Sequence, residues 1–130
     1  MAREFDVNGI TYSYNPLDTL TQLFACRKTG IFFTALEHGY PLLDVMYDIP
    51  QADLQPVIFA VMPFVTRKDG GTWAKIFNTD AKMFSYSDIR AFDSMKILME
   101  VLTEYVPPFL ADVRLWESAI RAAAIPTEQA

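Results

Sequence analysis

The sequence predicts a mainly α (α+β) fold: a small N-terminal β-hairpin followed by a bundle of about five or six helices. Three stretches lead to it. Glu4 to Tyr14 alternates apolar and polar residues on both sides of Asn8-Gly9, a pair whose tolerance of positive φ suits a two-residue hairpin turn. Asn15-Pro16 then opens a run whose apolar residues recur at helical spacing. Ser85 to Val106 carries the longest apolar stripe and ends at Pro107-Pro108. Together they describe one domain over residues 1–125, with a hairpin at about 4–14 and a frayed tail at 126–130.

In the hairpin, Phe5 and Val7 alternate with Glu4 and Asp6, and Ile10, Tyr12 and Tyr14 alternate with Thr11 and Ser13. A lone hairpin is marginal in water, so its apolar face must rest on the helices or on another protein. The first helix takes Asn15 as N-cap and Pro16 as first residue, with Leu17, Leu20, Leu23 and Phe24 as its stripe. Arg27 and Lys28 suit its negative last turn, and Gly30 its C′ position. Ile31 to Gly39 reads as one or two helical turns. Pro41 opens a short helix that stops before Pro50. The block from Gln51 to Thr66 reads as a buried helix with Pro56 in its first turn, running to about Pro63, with a buried strand as the competitor.

Arg67 to Thr72, with Gly70-Gly71, reads as a loop, Trp73 to Phe77 as a short helix, and Asn78 to Met83 as a loop. The principal helix, Ser85 to Val106, starts from a Ser85/Asp88 capping box, with Ser87 as a competing cap. Its stripe is Phe92, Met95, Met99, Leu102 and Val106, widened by Ile89, Leu98, Val101 and Tyr105. Pro107-Pro108 stops it, because neither proline donates to the ladder and each disfavours a helical residue before it. A last amphipathic helix carries Phe109, Val113, Trp116 and Ile120.

Composition narrows the function classes. The chain has 130 residues, 52% hydrophobic and 14% aromatic, enough for a sizeable core and for aromatic contact surface besides. A net charge of −5 and scattered Lys and Arg leave no basic stripe for a phosphate backbone, so nucleic acid is not expected as a partner. No membrane partner is expected either: the longest apolar run, Pro56 to Val65, is far short of the ~20 residues of a spanning helix. The opening MAREFDVNG lacks the apolar region of a secretory signal. A single Cys26 suits a reducing compartment.

Chemistry-bearing constellations are scarce. With one His and one Cys, a tetrahedral nitrogen/sulfur metal site within one chain is excluded. A Cys26–His38 nucleophile pair is outweighed by a packed thiol and a surface histidine. Asp69-Gly70-Gly71 lacks the Gly-Lys-Ser/Thr ending of a phosphate loop. Asp44/Asp48 and Glu100/Glu104 have helical i,i+4 spacing suited to acid–base work, but solvated faces are the simpler account. Trp73, Phe77 and Tyr86 read as a core corner. No catalytic residue, cofactor site or metal site is expected. Partner contact is expected at Leu115, Trp116 and Ile120 on the last helix, and at Tyr12 and Tyr14 on the hairpin.

Three stretches carry a family resemblance: EFDVNGITYSYNPLDTLTQLFACRK, WAKIFN followed by MFSYSDI, and MKILMEVLTEYVPPFL. In order and spacing the chain resembles the small tail assembly chaperones of long-tailed bacteriophages. The resemblance implies a non-enzymatic role without cofactors. The protein would bind the tape-measure protein before tail-tube subunits polymerise around it, helping to recruit the tail-tube protein. It would act in the host cytoplasm and be absent from the mature virion. Self-association is a further partner class. A structural tail-completion or head–tail connector protein, retained in the virion, is the alternative.

Overall fold

The first residues to be ordered by the chain's own pattern are the hairpin strands, β1 (Arg3–Val7) and β2 (Ile10–Tyr14). In the computed structural model, which describes residues 3–124, they meet at Asn8 and Gly9, with φ of 52° and 77°. Phe5, Val7, Ile10, Tyr12 and Tyr14 share one face, and Phe5 stacks on Tyr12 with ring centroids 5.8 Å apart. That face rests on the protein's own helices.

The bundle of five or six helices does not form. Among the described residues, four α-helices accompany a four-stranded antiparallel sheet in the order β1-β2-β3-β4 and a separate two-stranded ribbon. Strands β3 (Val65–Asp69) and β4 (Thr72–Lys75) occupy the segments read as a loop and a short helix. Gly70 and Gly71 are the two-residue turn between them, Gly70 at φ 66°. Gly without a side chain enters that region freely, so the pair makes a hairpin rather than a linker. Strands β5 (Phe77–Asn78) and β6 (Met83–Phe84) form the ribbon. Phe77 anchors it, edge-on to Phe84 at 5.4 Å and 5.8 Å from Phe59.

Helix α1 (Thr19–Glu37) starts later and ends later than its sequence signals. Asn15 is not the cap because its N–H donates to the Phe64 carbonyl at 3.0 Å, extending the sheet. Asp18 caps instead, accepting from the Thr21 N–H at 2.7 Å. Gly30 lies inside the helix rather than ending it, and a Cβ there would stand 3.3 Å from Leu110 Cδ2 of α4. Helices α2 (Leu42–Asp48) and α3 (Gln51–Val61) follow, bounded by Pro41 and Pro50 as expected. Pro56 sits in the second turn of α3, and the chain leaves through a 3-10 turn at Met62–Phe64.

Helix α4 (Ala91–Ala124) is a single element running through Pro107 and Pro108. The capping pair Ser85/Asp88 is engaged elsewhere. The Ser85 N–H donates to the Ile76 carbonyl at 2.8 Å, and Asp88 accepts from Arg67 Nη1 at 2.9 Å. The helix begins six residues later, where Asp93 accepts from the Arg90 N–H at 3.1 Å. The prolines remove two ladder donors but do not stop it, because Val106 before them is buried in the core and Leu110 beyond them packs at Gly30 on α1. Ile97, Leu98, Val101, Leu102 and Val106 form its buried face. Phe92, placed in the stripe by periodicity, is exposed, and Met95 and Met99 are half-buried. The tail expected to fray, 126–130, lies outside the described residues.

Candidate functional site: an apolar groove between the helices

Two helices carry the same apolar spacing and face each other across a gap. On α1 it is Thr29, Phe32, Phe33 and Leu36; on α2 it is Leu42, Val45 and Met46, continued by Ile49 just past the helix end. Both follow the i, i+3, i+4, i+7 rule that lines one helix face. Leu54 of α3 closes one side, and Phe92, Met95 and Met99 of α4 form the opposite wall. Leu98 and Leu102 make the floor. The result is an open apolar groove of about 380 Å³, within the size range of ligand-binding clefts.

Its chemistry is apolar and adaptable. Three of its lining residues, Met46, Met95 and Met99, have unbranched thioether side chains that repack around different shapes. Two of the lining residues, Leu42 and Phe92, are themselves 51% and 62% exposed, and Leu43 and Tyr47 of α2 are exposed outside the lining. Helix α2 is held by little: Val45 is its one buried residue and no side chain caps its first turn. Two charged residues of opposite sign, Lys96 and Glu100 of α4, are among the lining, and Asp44 and Asp48 are exposed on α2 outside it.

The residues singled out from sequence fall on different surfaces. Tyr12 and Tyr14 are 2% and 3% exposed and belong to the core. Leu115, Trp116 and Ile120 are 72%, 68% and 51% exposed, on the end of α4 that runs past the body as an arm. Trp73 stands exposed on the edge strand β4, apart from buried Phe77. Tyr86 lies under Arg67, whose guanidinium carbon is 3.8 Å from the ring centroid, and its hydroxyl donates to Asp69 at 2.9 Å.

A chemical site does not assemble from these groups. Cys26 and His38 lie far apart along α1, roughly 18 Å by helical rise. The Cys26 thiol is buried, which pushes its pKa up, and it donates to the Tyr105 carbonyl at 3.7 Å. His38 ends the helix, with Nδ1 2.8 Å from the Thr34 carbonyl oxygen. Among the described residues, no group of three or more His, Cys, Asp or Glu is placed to hold a metal ion. Nor, among them, is any helix long and apolar enough to cross a membrane.

The comparisons add no relative. No family model, curated protein or solved structure matches the chain. The groove therefore stands on its geometry alone.

Glu104, read from sequence as one of a solvated carboxylate pair, is a structural tie. It accepts from the Tyr14 hydroxyl and from Arg3 Nη1, and Tyr105 beside it accepts from the Leu17 N–H at 3.0 Å. Burial pushes the Tyr14 phenol up, and its hydrogen bond to Glu104 adds to that, to about 12. Burial alone would raise Glu104, but the bonds from Tyr14 and Arg3 outweigh it and hold the carboxyl below its usual range.

Sequence reasoning missed the groove because its walls come from four separate helices. The signal was present as the repeated spacing at Thr29/Phe32/Phe33/Leu36 and Leu42/Val45/Met46/Ile49. It was obscured by ending the first helix at Gly30.

Proposed function

We propose that this protein is a tail assembly chaperone of a long-tailed bacteriophage that holds apolar helical segments of the tape-measure protein in the groove between its helices. The groove with its exposed apolar rim is the observation that carries the reading. A long helical protein awaiting its tube subunits exposes apolar stripes, and a methionine-lined groove covers such stripes without demanding one sequence. The sequence resemblance supports the same role. In this reading the protein works without catalysis in the host cytoplasm, helps to recruit tail-tube subunits, and is released before the virion is complete. Its negative charge keeps the holding form soluble.

Co-expression with the tape-measure protein of the same genome tests this. The expected result is a soluble complex that is lost when Leu42 and Phe92, both on the rim, are changed to Asp. If the tape-measure protein becomes no more soluble and forms no complex, the proposal fails.

The projecting arm of α4 favours a second reading, a tail-completion or head–tail connector protein whose arm is a fixed structural contact. Mass spectrometry of purified virions separates the two, since a connector is present in the particle and a released chaperone is not.

A further inference from the structure

We propose that the outer face of α1, formed by Leu20, Leu23, Phe24, Arg27 and Ile31, is a docking site for an acidic amphipathic helix of a partner protein, with a partner carboxylate paired to Arg27. This face of α1 is separate from the one that walls the groove, and its role goes beyond the holding of apolar segments there.

Helix α1 buries one side. Ala25, Cys26, Thr29, Gly30 and Phe33 are its buried residues, and at 3.6 residues per turn they gather on one side of the helix. On the other side Leu20, Leu23, Phe24, Arg27 and Ile31 fall at i, i+3, i+4, i+7 and i+11, the spacing of a second stripe. Leu20, Leu23 and Ile31 are exposed and Phe24 is half-buried. Along this stripe Phe24, Arg27, Lys28, Ile31 and Phe32, with Asp53 of α3, line an open cleft of about 430 Å³.

Arg27 stands in the middle of the stripe without an acid. The positions three and four residues away on either side hold Leu23, Phe24, Gly30 and Ile31, so the helix supplies it no ion pair. Among the described residues Arg3, Arg67, Arg90, Arg114 and Arg121 each bond a carboxylate, and Arg27 bonds none. Lys28 donates to Asp53 at 3.3 Å. The cleft lining therefore holds two cations against one carboxylate, in a chain whose net charge is −5.

Position and sign select the occupant. A guanidinium ringed by apolar side chains pairs with both oxygens of a carboxylate, and a helix that covers the ring shields that pair from water. A second copy docked on a two-fold axis through this face would set Arg27 against Arg27, and like charges oppose that arrangement. A membrane-bound helix carries its cations on the polar face, whereas Arg27 lies within the apolar one, and the net negative charge repels an anionic surface. From Leu20 to Ile31 the face is about 17 Å long. That is room for three turns of a partner helix, a contact of the weak and exchanging kind.

The test uses a synthetic peptide of roughly 18 residues, five helical turns, built from Ala and Gln with a leucine stripe and one Glu inside the stripe. Twin peptides carry Gln or Lys in place of that Glu. Titrated into the full chain labelled with nitrogen-15, the Glu peptide is expected to move the amide signals of residues 20–31. It should bind roughly two- to fivefold more tightly than its Gln twin, the range of one exposed ion pair, against the chain's overall negative field. Arg27→Gln should erase that preference and leave the melting temperature unchanged, since Arg27 is exposed. Arg27→Glu should transfer the preference to the Lys twin. Leu20→Asp with Ile31→Asp, both exposed, should leave the chain folded and abolish binding of the Glu peptide.

Equal affinity for the Glu and Gln peptides overturns the inference, and so does a Glu preference that survives Arg27→Gln. Signals that move only around the groove place the peptide elsewhere and overturn it too. A wild-type dimer in sedimentation that Leu20→Asp with Ile31→Asp dissolves would mean that a second copy covers the face. Binding to phosphatidylglycerol vesicles that the same variant removes would mean that a membrane does. Either result overturns the assignment of a partner helix.

Discussion

The hydroxyl of Tyr14 donates to the carboxylate of Glu104, and through that bond the second strand of the sheet is fastened to the middle of the longest helix. Each partner alters the other's proton affinity. Tyr14, raised to about 12, favours folding fully below its unfolded value near 10, and that contribution is lost as pH rises toward 12. The shift corresponds to roughly 2–3 kcal/mol. Glu104, held below its usual range, contributes above the unfolded carboxylate value and loses its contribution as pH falls through the folded one. Melting temperatures across pH should therefore fall at both ends. Tyr14→Phe should flatten the alkaline limb and Glu104→Gln the acid limb. Identical limbs in variant and wild type would contradict the coupling.

Gly30 of α1 meets Leu110 of α4. A Cβ at Gly30 would stand 3.3 Å from Leu110 Cδ2, the tip of a half-exposed side chain that can yield a few tenths of an ångström. Ala inside a helix is better than Gly by about 1 kcal/mol. Gly30→Ala should therefore raise the melting temperature, by a few degrees for a domain of this size. Gly30→Leu, which cannot be absorbed by a small shift, should lower it. Differential scanning calorimetry of the two variants decides the matter, and a destabilised alanine variant would mean that Leu110 cannot move.

Local signals were read well where the residues served the local structure, and badly where they served a distant contact. Asn8-Gly9 forms the expected turn, and Pro41 and Pro50 bound the expected short helix. Asn15, Ser85 and Asp88 are good caps by type, yet the sheet and Arg67 had claimed them. The Gly70-Gly71 pair did announce a hairpin, but Arg67, Lys68 and Asp69 made its strand look like a charged loop. Lys68 and Asp69 are exposed beyond the last pairing of β3 with β2, while Arg67, paired with Tyr12 and Ala74, is engaged by Asp88 and the Tyr86 ring. The groove was the least legible feature, since no single segment holds it.

Pro107 and Pro108 lie within α4 at a cost in helical propensity that packing on either side offsets. Pro108 is exposed, so replacing it with Ala removes no core contact and restores an N–H opposite the Glu104 carbonyl. Proline within a helix costs about 3 kcal/mol relative to Ala, and its restriction of the unfolded chain returns up to about 1 kcal/mol. Pro108→Ala should stabilise the protein by on the order of 2 kcal/mol in urea titration, with the same helical content by circular dichroism. A loss of stability would show that the proline directs the arm into a contact that the straight helix cannot make.

The groove floor and its rim should respond in opposite ways to the same charge. Leu98 and Leu102 are each 1% exposed, and an aspartate at either place would sit unpaired in an apolar interior at a cost of several kcal/mol. That equals much of the stability of a domain this size, so Leu98→Asp and Leu102→Asp should abolish cooperative melting. Phe92 forms the rim of the same groove but is 62% exposed, so Phe92→Asp should change stability by no more than about 0.5 kcal/mol. Leu98→Ala provides the graded control, losing about 2–5 kcal/mol through transfer and cavity terms. If Leu98→Asp melts cooperatively near the wild-type temperature, α4 does not form the floor of the groove. If Phe92→Asp unfolds the chain, the rim is part of the core, and the groove is not an open surface.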